Sequence, residues 1–66
     1  MITIEFVSGL QKRIKADKAK LEDGVLVLYV YTTDRRMLLS TGSFRVETIK
    51  WARLDNGTVL IGDPKQ

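Results

Sequence analysis

The chain has no cysteine and no histidine among its 66 residues, and its one proline, Pro64, lies near the carboxyl end. Without cysteine there is no disulfide framework and no thiolate nucleophile. Without histidine there is no imidazole base, and the two together remove the usual ligands of a structural zinc. The acids Asp17, Glu22, Asp23, Asp34, Asp55 and Asp63 lack the alternating spacing of a calcium loop, so no metal and no cofactor is expected. Neither glycine-rich phosphate motif occurs, and Ser8, Ser40, Ser43, Thr32 and Thr33 have no histidine to activate them; a lysine could serve as base only if buried, and no sequence feature buries one, so the chain is not expected to be an enzyme. The longest apolar run, Val25 to Val30, is strand-sized and far short of the roughly 20 residues that span a bilayer. The amino terminus alternates and shows no basic stub followed by a hydrophobic segment, so a cytoplasmic location and no membrane contact are expected.

What is present is the grammar of short strands. Ile2, Ile4 and Phe6 alternate with Thr3, Glu5 and Val7, the period-two pattern of a half-buried strand, and Ser8-Gly9 supplies a turn. Residues 9–23 admit two descriptions. Ser8 with Gln11 matches a capping box and Gly24 suits a helix end, but the stripe of Leu10, Ile14 and Leu21 is interrupted by Asp17. Two short strands, over 10–16 and 18–22 with a bend at Asp17, are favoured; a helix over 9–23, making the domain α+β, is the alternative. Asp23-Gly24 is a type I′ hairpin signal. It is followed by Val25 to Tyr31, apolar on both faces and expected to be the central strand. Thr32 to Arg35 reads as a turn, 36–40 as a short strand broken at Thr41-Gly42-Ser43, and 46–54 as a strand with Phe44 near its start. Asn56-Gly57 marks a further turn before a last strand at 59–61. The expected fold is mainly β: one domain over 1–62, an antiparallel meander closing into an SH3-like barrel or a curled sheet, with a polar tail at 63–66.

Eleven basic residues against eight acidic ones give a net charge of +3. Residues 11–20 carry five basic residues against Asp17, and residues 35–53 carry five against Glu47, so each stretch is locally +4. Two basic stretches present a polyanion with a target, although they also suit a plain solvated face. From them Lys12, Arg13, Lys15, Arg35, Arg36, Arg45, Lys50 and Arg53 are the candidate ligand-binding residues, with the arginines offering forked donors to phosphate. Of the five aromatics, Tyr29 and Tyr31 share a strand face with Val25 and Val27, which reads as core or subunit interface. Trp51, between Ile49 and Arg53 in a period-two register, reads as a core residue at the rim. Tyr29, Tyr31 and Trp51 are the candidate interface.

The opening strand, the Ser-Gly turn, Ala16-Asp17 and Asp23-Gly24-Val25-Leu26-Val27-Leu28-Tyr29 resemble short β-meander proteins encoded by bacteriophages. The resemblance covers the first half of the chain. It implies a phage or mobile-element setting and carries over no functional residue. The expected function is non-catalytic binding of a phosphate-bearing partner, nucleic acid or nucleotide, through the basic stretches. The alternative is a protein–protein inhibitor, adaptor or virion component acting through strand edges and the aromatic surface. A core of this size supplies roughly 3–5 kcal/mol, and with disulfides and metals excluded a homo-oligomer is the remaining staple.

Overall fold

A computed structural model describes residues 1–62; the expected polar tail at 63–66 lies outside the described residues. Among the described residues seven strands form two antiparallel sheets. The first sheet has the order β2-β1-β6-β7, from β1 (Ile2–Phe6), β2 (Gln11–Ile14), β6 (Ile49–Leu54) and β7 (Val59–Ile61). The second has the order β3-β4-β5, from β3 (Lys18–Glu22), β4 (Val25–Tyr31) and β5 (Leu38–Arg45). Residues 9–23 are strands and a corner, with no helix. The first of these strands is four residues long because Leu10 and the residues after Ile14 are taken up by the turn and the corner.

Each joint follows from local chemistry. Asp23 and Gly24 both have positive φ, 48° and 74°, as a type I′ turn demands, and the hairpin closes with Glu22 opposite Val25. The Ser8-Gly9 and Asn56-Gly57 turns share a different geometry: the residue before the turn donates its amide four residues ahead (Phe6 to Leu10, Leu54 to Thr58), with Gly9 and Gly57 left-handed. These are three-residue loops with the glycine at the αL position.

The core lies between the sheets. Ile2 and Ile4 of β1, Ile49, Ala52 and Leu54 of β6, Leu26 and Leu28 of β4, and Ala16 form one buried cluster. No buried polar side chain occurs among the described residues. Phe6 and Phe44 meet edge-to-face at its rim, 5.6 Å between centroids. Each of the four fully buried side chains, Ile2, Ile4, Leu26 and Leu28, contributes about 1.5–3 kcal/mol.

Several expectations are corrected. The chain is not a simple meander, since β1 pairs with β6, and no closed barrel is found among the described residues: the sheets are not joined by a hydrogen-bonded strand pair. The strand expected at 36–40 begins at Leu38, and Thr41-Gly42-Ser43 does not break it. Leu28 stands opposite Gly42 and Tyr29 opposite Ser40, so Thr41 is absorbed as a bulge and the strand runs on to Arg45. Phe44 therefore belongs to β5. Residues 46–48 form a short 3-10 turn that shifts the chain from one sheet to the other.

The tryptophan is also not a core residue. Glu5 is opposite Trp51 and Phe6 opposite Ile49, which makes Lys50 an extra residue. The bulge lets Ile49, Ala52 and Leu54 all point inward and turns Trp51, half-buried, to the outer face beside Glu5. Tyr29 and Tyr31 likewise leave the core: Leu26 and Leu28 take the inner face of β4, so Val25, Val27, Tyr29 and Tyr31 occupy the outer one.

If the contact between sheets dominates stability, Leu28→Ala should cost about 2–5 kcal/mol by cavity formation and leave the chain largely unfolded, whereas Val27→Ala on the outer face stays folded. Urea denaturation followed by far-UV circular dichroism compares the two; equal midpoints would contradict the assignment of faces.

Candidate nucleic-acid interface

The outer face of the three-stranded sheet combines aromatic rings with cations. Pairing from the Asp23-Gly24 turn sets Lys20 opposite Val27 and Lys18 opposite Tyr29. On the other flank Ser43 stands opposite Val27, Ser40 opposite Tyr29 and Leu38 opposite Tyr31. Tyr29 and Tyr31, two residues apart on the central strand, thus share a face with two lysines on one side and with Ser43, Ser40 and Leu38 on the other.

Asp17 fixes this end of the face. Its amide donates to the Tyr29 carbonyl and its carboxylate accepts the Tyr31 amide, each at 2.8 Å. The corner between the sheets is thereby tied to the last rungs of the ladder around both tyrosines. The Thr32–Arg35 turn completes the site. The Arg35 amide donates to the Thr32 carbonyl at 2.8 Å, and the Thr32 hydroxyl donates to Asp34 Oδ1 at 2.6 Å. Asp34 Oδ1 also accepts the Arg36 amide at 3.1 Å. The Thr32 hydroxyl, followed by the Arg36 amide, holds the Asp34 carboxyl below its ordinary value.

The loop closes with Arg35 left-handed at φ 60°, an uncommon state for a residue with a side chain. Its guanidinium lies 5.1 Å from the centroid of the Tyr31 ring, and Lys18 Nζ lies 5.8 Å from the same ring. Both are within the range of a cation–π contact. Lys15, Asp17, Tyr31, Thr32, Thr33 and Arg35 line a cleft of about 330 Å³ beside it. A second, mainly apolar groove of about 220 Å³ reaches Lys18, Ala19, Lys20 and Tyr29 and continues to Leu54 and Leu60, along the seam where β3 approaches β7. Among the described residues Lys15, Lys18, Lys20 and Arg35 have no carboxylate within ion-pair distance.

The candidate basic residues divide among several places. Lys15, Arg35 and Arg36 fall at the Tyr31 end of this face, Arg36 being 3.9 Å from Asp34. Arg45 is at the other end of the sheet, opposite Val25, and pairs with Glu47 at 3.3 Å. Arg13, Lys50 and Arg53 belong to the other sheet. Arg13 is held by Asp55 at 2.9 Å and Lys50 by Glu5 at 3.5 Å, while Arg53 is exposed two residues from Trp51. Lys12 is exposed on the edge strand β2. Trp51 is thus on the outer face of the four-stranded sheet, apart from the two tyrosines.

Lys18 and Lys20 belong to the basic stretch at 11–20 but are not among the candidate ligand-binding residues, although the sequence carries a signal for their place. A two-residue turn at Asp23-Gly24 forces the pairs 22/25, 20/27 and 18/29, and these pairs alone set both lysines beside the tyrosine strand.

Comparison with known proteins finds no matching family model, no matching curated protein and no matching solved structure.

On the opposite sheet Glu5 is held below its ordinary value of 4.5, first by the Gln11 side-chain amide at 2.8 Å and then by Lys50. A depressed folded pKa means a contribution to stability that is present above the unfolded value and is lost as pH falls through the folded one. Gln11→Ala should raise the Glu5 pKa toward 4.5, as read by carboxyl carbon NMR, and should lower stability at pH 7 but not well below the folded pKa. An unchanged Glu5 titration would show that Gln11 does not stabilise the carboxylate.

Proposed function

We propose that the chain is a non-catalytic binder of single-stranded nucleic acid, with the outer face of the three-stranded sheet as its contact surface. The observation that carries this is the gathering of Lys18 and Arg35 over the Tyr31 ring, on the face that also bears Tyr29 and Lys20. Single-strand binders combine a cationic track for phosphates with rings on which bases stack, and both are here within one face. The cations have no acidic partner to displace among the described residues, so phosphate oxygens meet them without breaking an ion pair. Arg35 and Lys18 already lie over an aromatic ring, where they exchange one π-face for the π-face and phosphate of an incoming nucleotide. The groove past Tyr29 offers an apolar continuation for a base turned off the strand. A phage or mobile-element setting, suggested by the β-meander resemblance, belongs to the same proposal.

Binding is expected to be salt-dependent. At about 0.7 counterions released per phosphate on a single strand, engagement of Lys15, Lys18, Lys20 and Arg35 gives a slope of log K against log salt near −3. The test is fluorescence anisotropy of a labelled single-stranded oligonucleotide across a salt series. Tyr31→Ala should lose about 1–3 kcal/mol of binding, a loss of one stacked base. Arg13→Ala should be nearly neutral, because its charge is already held by Asp55. Trp51 emission should stay constant through the titration. Quenching of Trp51, with sensitivity to Arg53→Ala and none to Tyr31→Ala, would move the contact to the other sheet and overturn the assignment.

Arg35→Gly separates function from folding. Glycine adopts the left-handed conformation without a Cβ clash, so stability should hold or rise by up to about 1 kcal/mol. Binding should fall through loss of the cation, with a shallower salt slope. Unchanged affinity in Arg35→Gly would remove Arg35 from the site.

A further inference from the structure

We propose that two copies of this chain associate by antiparallel pairing of their β5 edges, joining the two three-stranded sheets into one continuous six-stranded sheet. The inference does not depend on the proposed ligand. An unpaired strand edge is a template for another strand, and proteins blunt such edges with charge, shortness or cover. Three of the four edges here are blunted. β2 has four residues and carries Lys12 and Arg13, and β7 has three residues. β3 bears Lys18, Lys20 and Glu22 and lies against β7. β5 is eight residues long and uncharged from Leu38 to Phe44. Met37, Leu38 and Leu39 at its start are 60%, 38% and 48% exposed.

The hydrogen-bond phase of this edge is self-complementary. Thr32 donates to the Met37 carbonyl, so in the alternation of an antiparallel ladder Leu38 and Ser40 turn their amides and carbonyls away from β4. At the other end Val46 donates to the Gly24 carbonyl, so Arg45 and Ser43 do the same. The Thr41 bulge changes the phase between the two halves. The groups turned away from β4 consequently lie at 38, 40, 43 and 45, symmetric about the point between Thr41 and Gly42; of these the Arg45 carbonyl also accepts the Thr48 hydroxyl at 2.7 Å, which leaves its second lone pair for a partner strand. In one register about a twofold axis there, Leu38 meets Arg45 of the second copy and Ser40 meets Ser43, and every outward group finds a partner.

An unbulged strand from another protein would match only one half of this edge. The same register brings the exposed Leu39 opposite Phe44 of the second copy and keeps the two Arg45 side chains at opposite ends. Self-pairing of β3 about its centre would instead set Lys20 against Lys20. Because paired residues project to the same face, the dimer would present both tyrosine pairs on one side.

The test is mass by multi-angle light scattering from micromolar to millimolar protein, with amide hydrogen exchange by NMR. The expected result is a species of twice 7.5 kDa at the upper end, with protection of the Leu38, Ser40, Ser43 and Arg45 amides that grows with concentration. Ser43→Pro removes an outward amide that β4 does not use, and should weaken association at least tenfold. Leu39→Lys, which leaves the backbone untouched, should do the same should the proline variant unfold. A mass of 7.5 kDa at millimolar concentration would overturn the proposal, as would a dimer in which those four amides stay unprotected or both variants associate like the parent.

Discussion

The two sheets share no strand pair, and what joins them is the burial of Leu26 and Leu28 of β4 against Ile2 and Ile4 of β1 and Ala52 of β6. Hydrogen bonds hold each sheet together internally; apolar contact holds the sheets to one another. A strand has two faces and β4 is apolar on both, so committing the leucines inward fixes what is left over. Val25, Val27, Tyr29 and Tyr31 must then stand on the outer face, and the neighbours in register with them decide the character of that surface. The candidate interface is therefore a consequence of the core.

With only eight buried residues among those described, the core leaves the corners to polar chemistry. Asp17 is the clearest case, bonding the backbone on both sides of Val30 and making the corner continuous with the ladder. Because its carboxylate is aimed at the Tyr31 amide, it is not paired with the nearby lysines. At Arg35 a left-handed arginine is tolerated inside a loop otherwise satisfied by Thr32 and Asp34, and glycine would close the same loop without strain. The side chain at that position serves the surface more than the turn.

Most strand positions were legible because they rest on local signals. The Asp23-Gly24 turn, the alternation of Ile2, Ile4 and Phe6, and the bend at Asp17 each depend on a few adjacent residues. What was not legible depends on phase. A single extra residue at Lys50 reverses the face on which Trp51 falls, and another at Thr41 carries β5 through a Thr-Gly-Ser segment that reads as a break. These two bulges have no composition signature, since neither inserted residue is glycine, and their position is set by which side chains must reach the core. Ile49, Ala52 and Leu54 cannot all face inward at strict period two, and the core overrides the period. The pairing of β1 with β6 was hidden for a related reason, as it joins segments more than forty residues apart with no local mark. For the candidate surface, counting charge along the chain grouped Lys15, Arg35 and Arg36, which the fold places at one end of the tyrosine face, with Arg13, Arg45, Lys50 and Arg53, which it places elsewhere.

Electrostatics distinguishes the two outer faces more sharply than composition does. On the four-stranded sheet Arg13 and Lys50 are answered by Asp55 and Glu5, and beyond the end of β5 Arg45 is answered by Glu47. Exposed pairs of this kind add little to stability, about 0–1 kcal/mol each. Their larger effect is on the field, because each cancels a charge that would otherwise attract a polyanion. Among the described residues four unpaired cations, Lys15, Lys18, Lys20 and Arg35, gather around the two tyrosines, whereas the four-stranded sheet keeps two, Lys12 and Arg53. Under the proposed function, a polyanion within a Debye length, about 8 Å at physiological ionic strength, would meet these cations on the face that carries both tyrosines. Joining two copies at β5 would double that field on one side of the sheet without placing a cation against a cation.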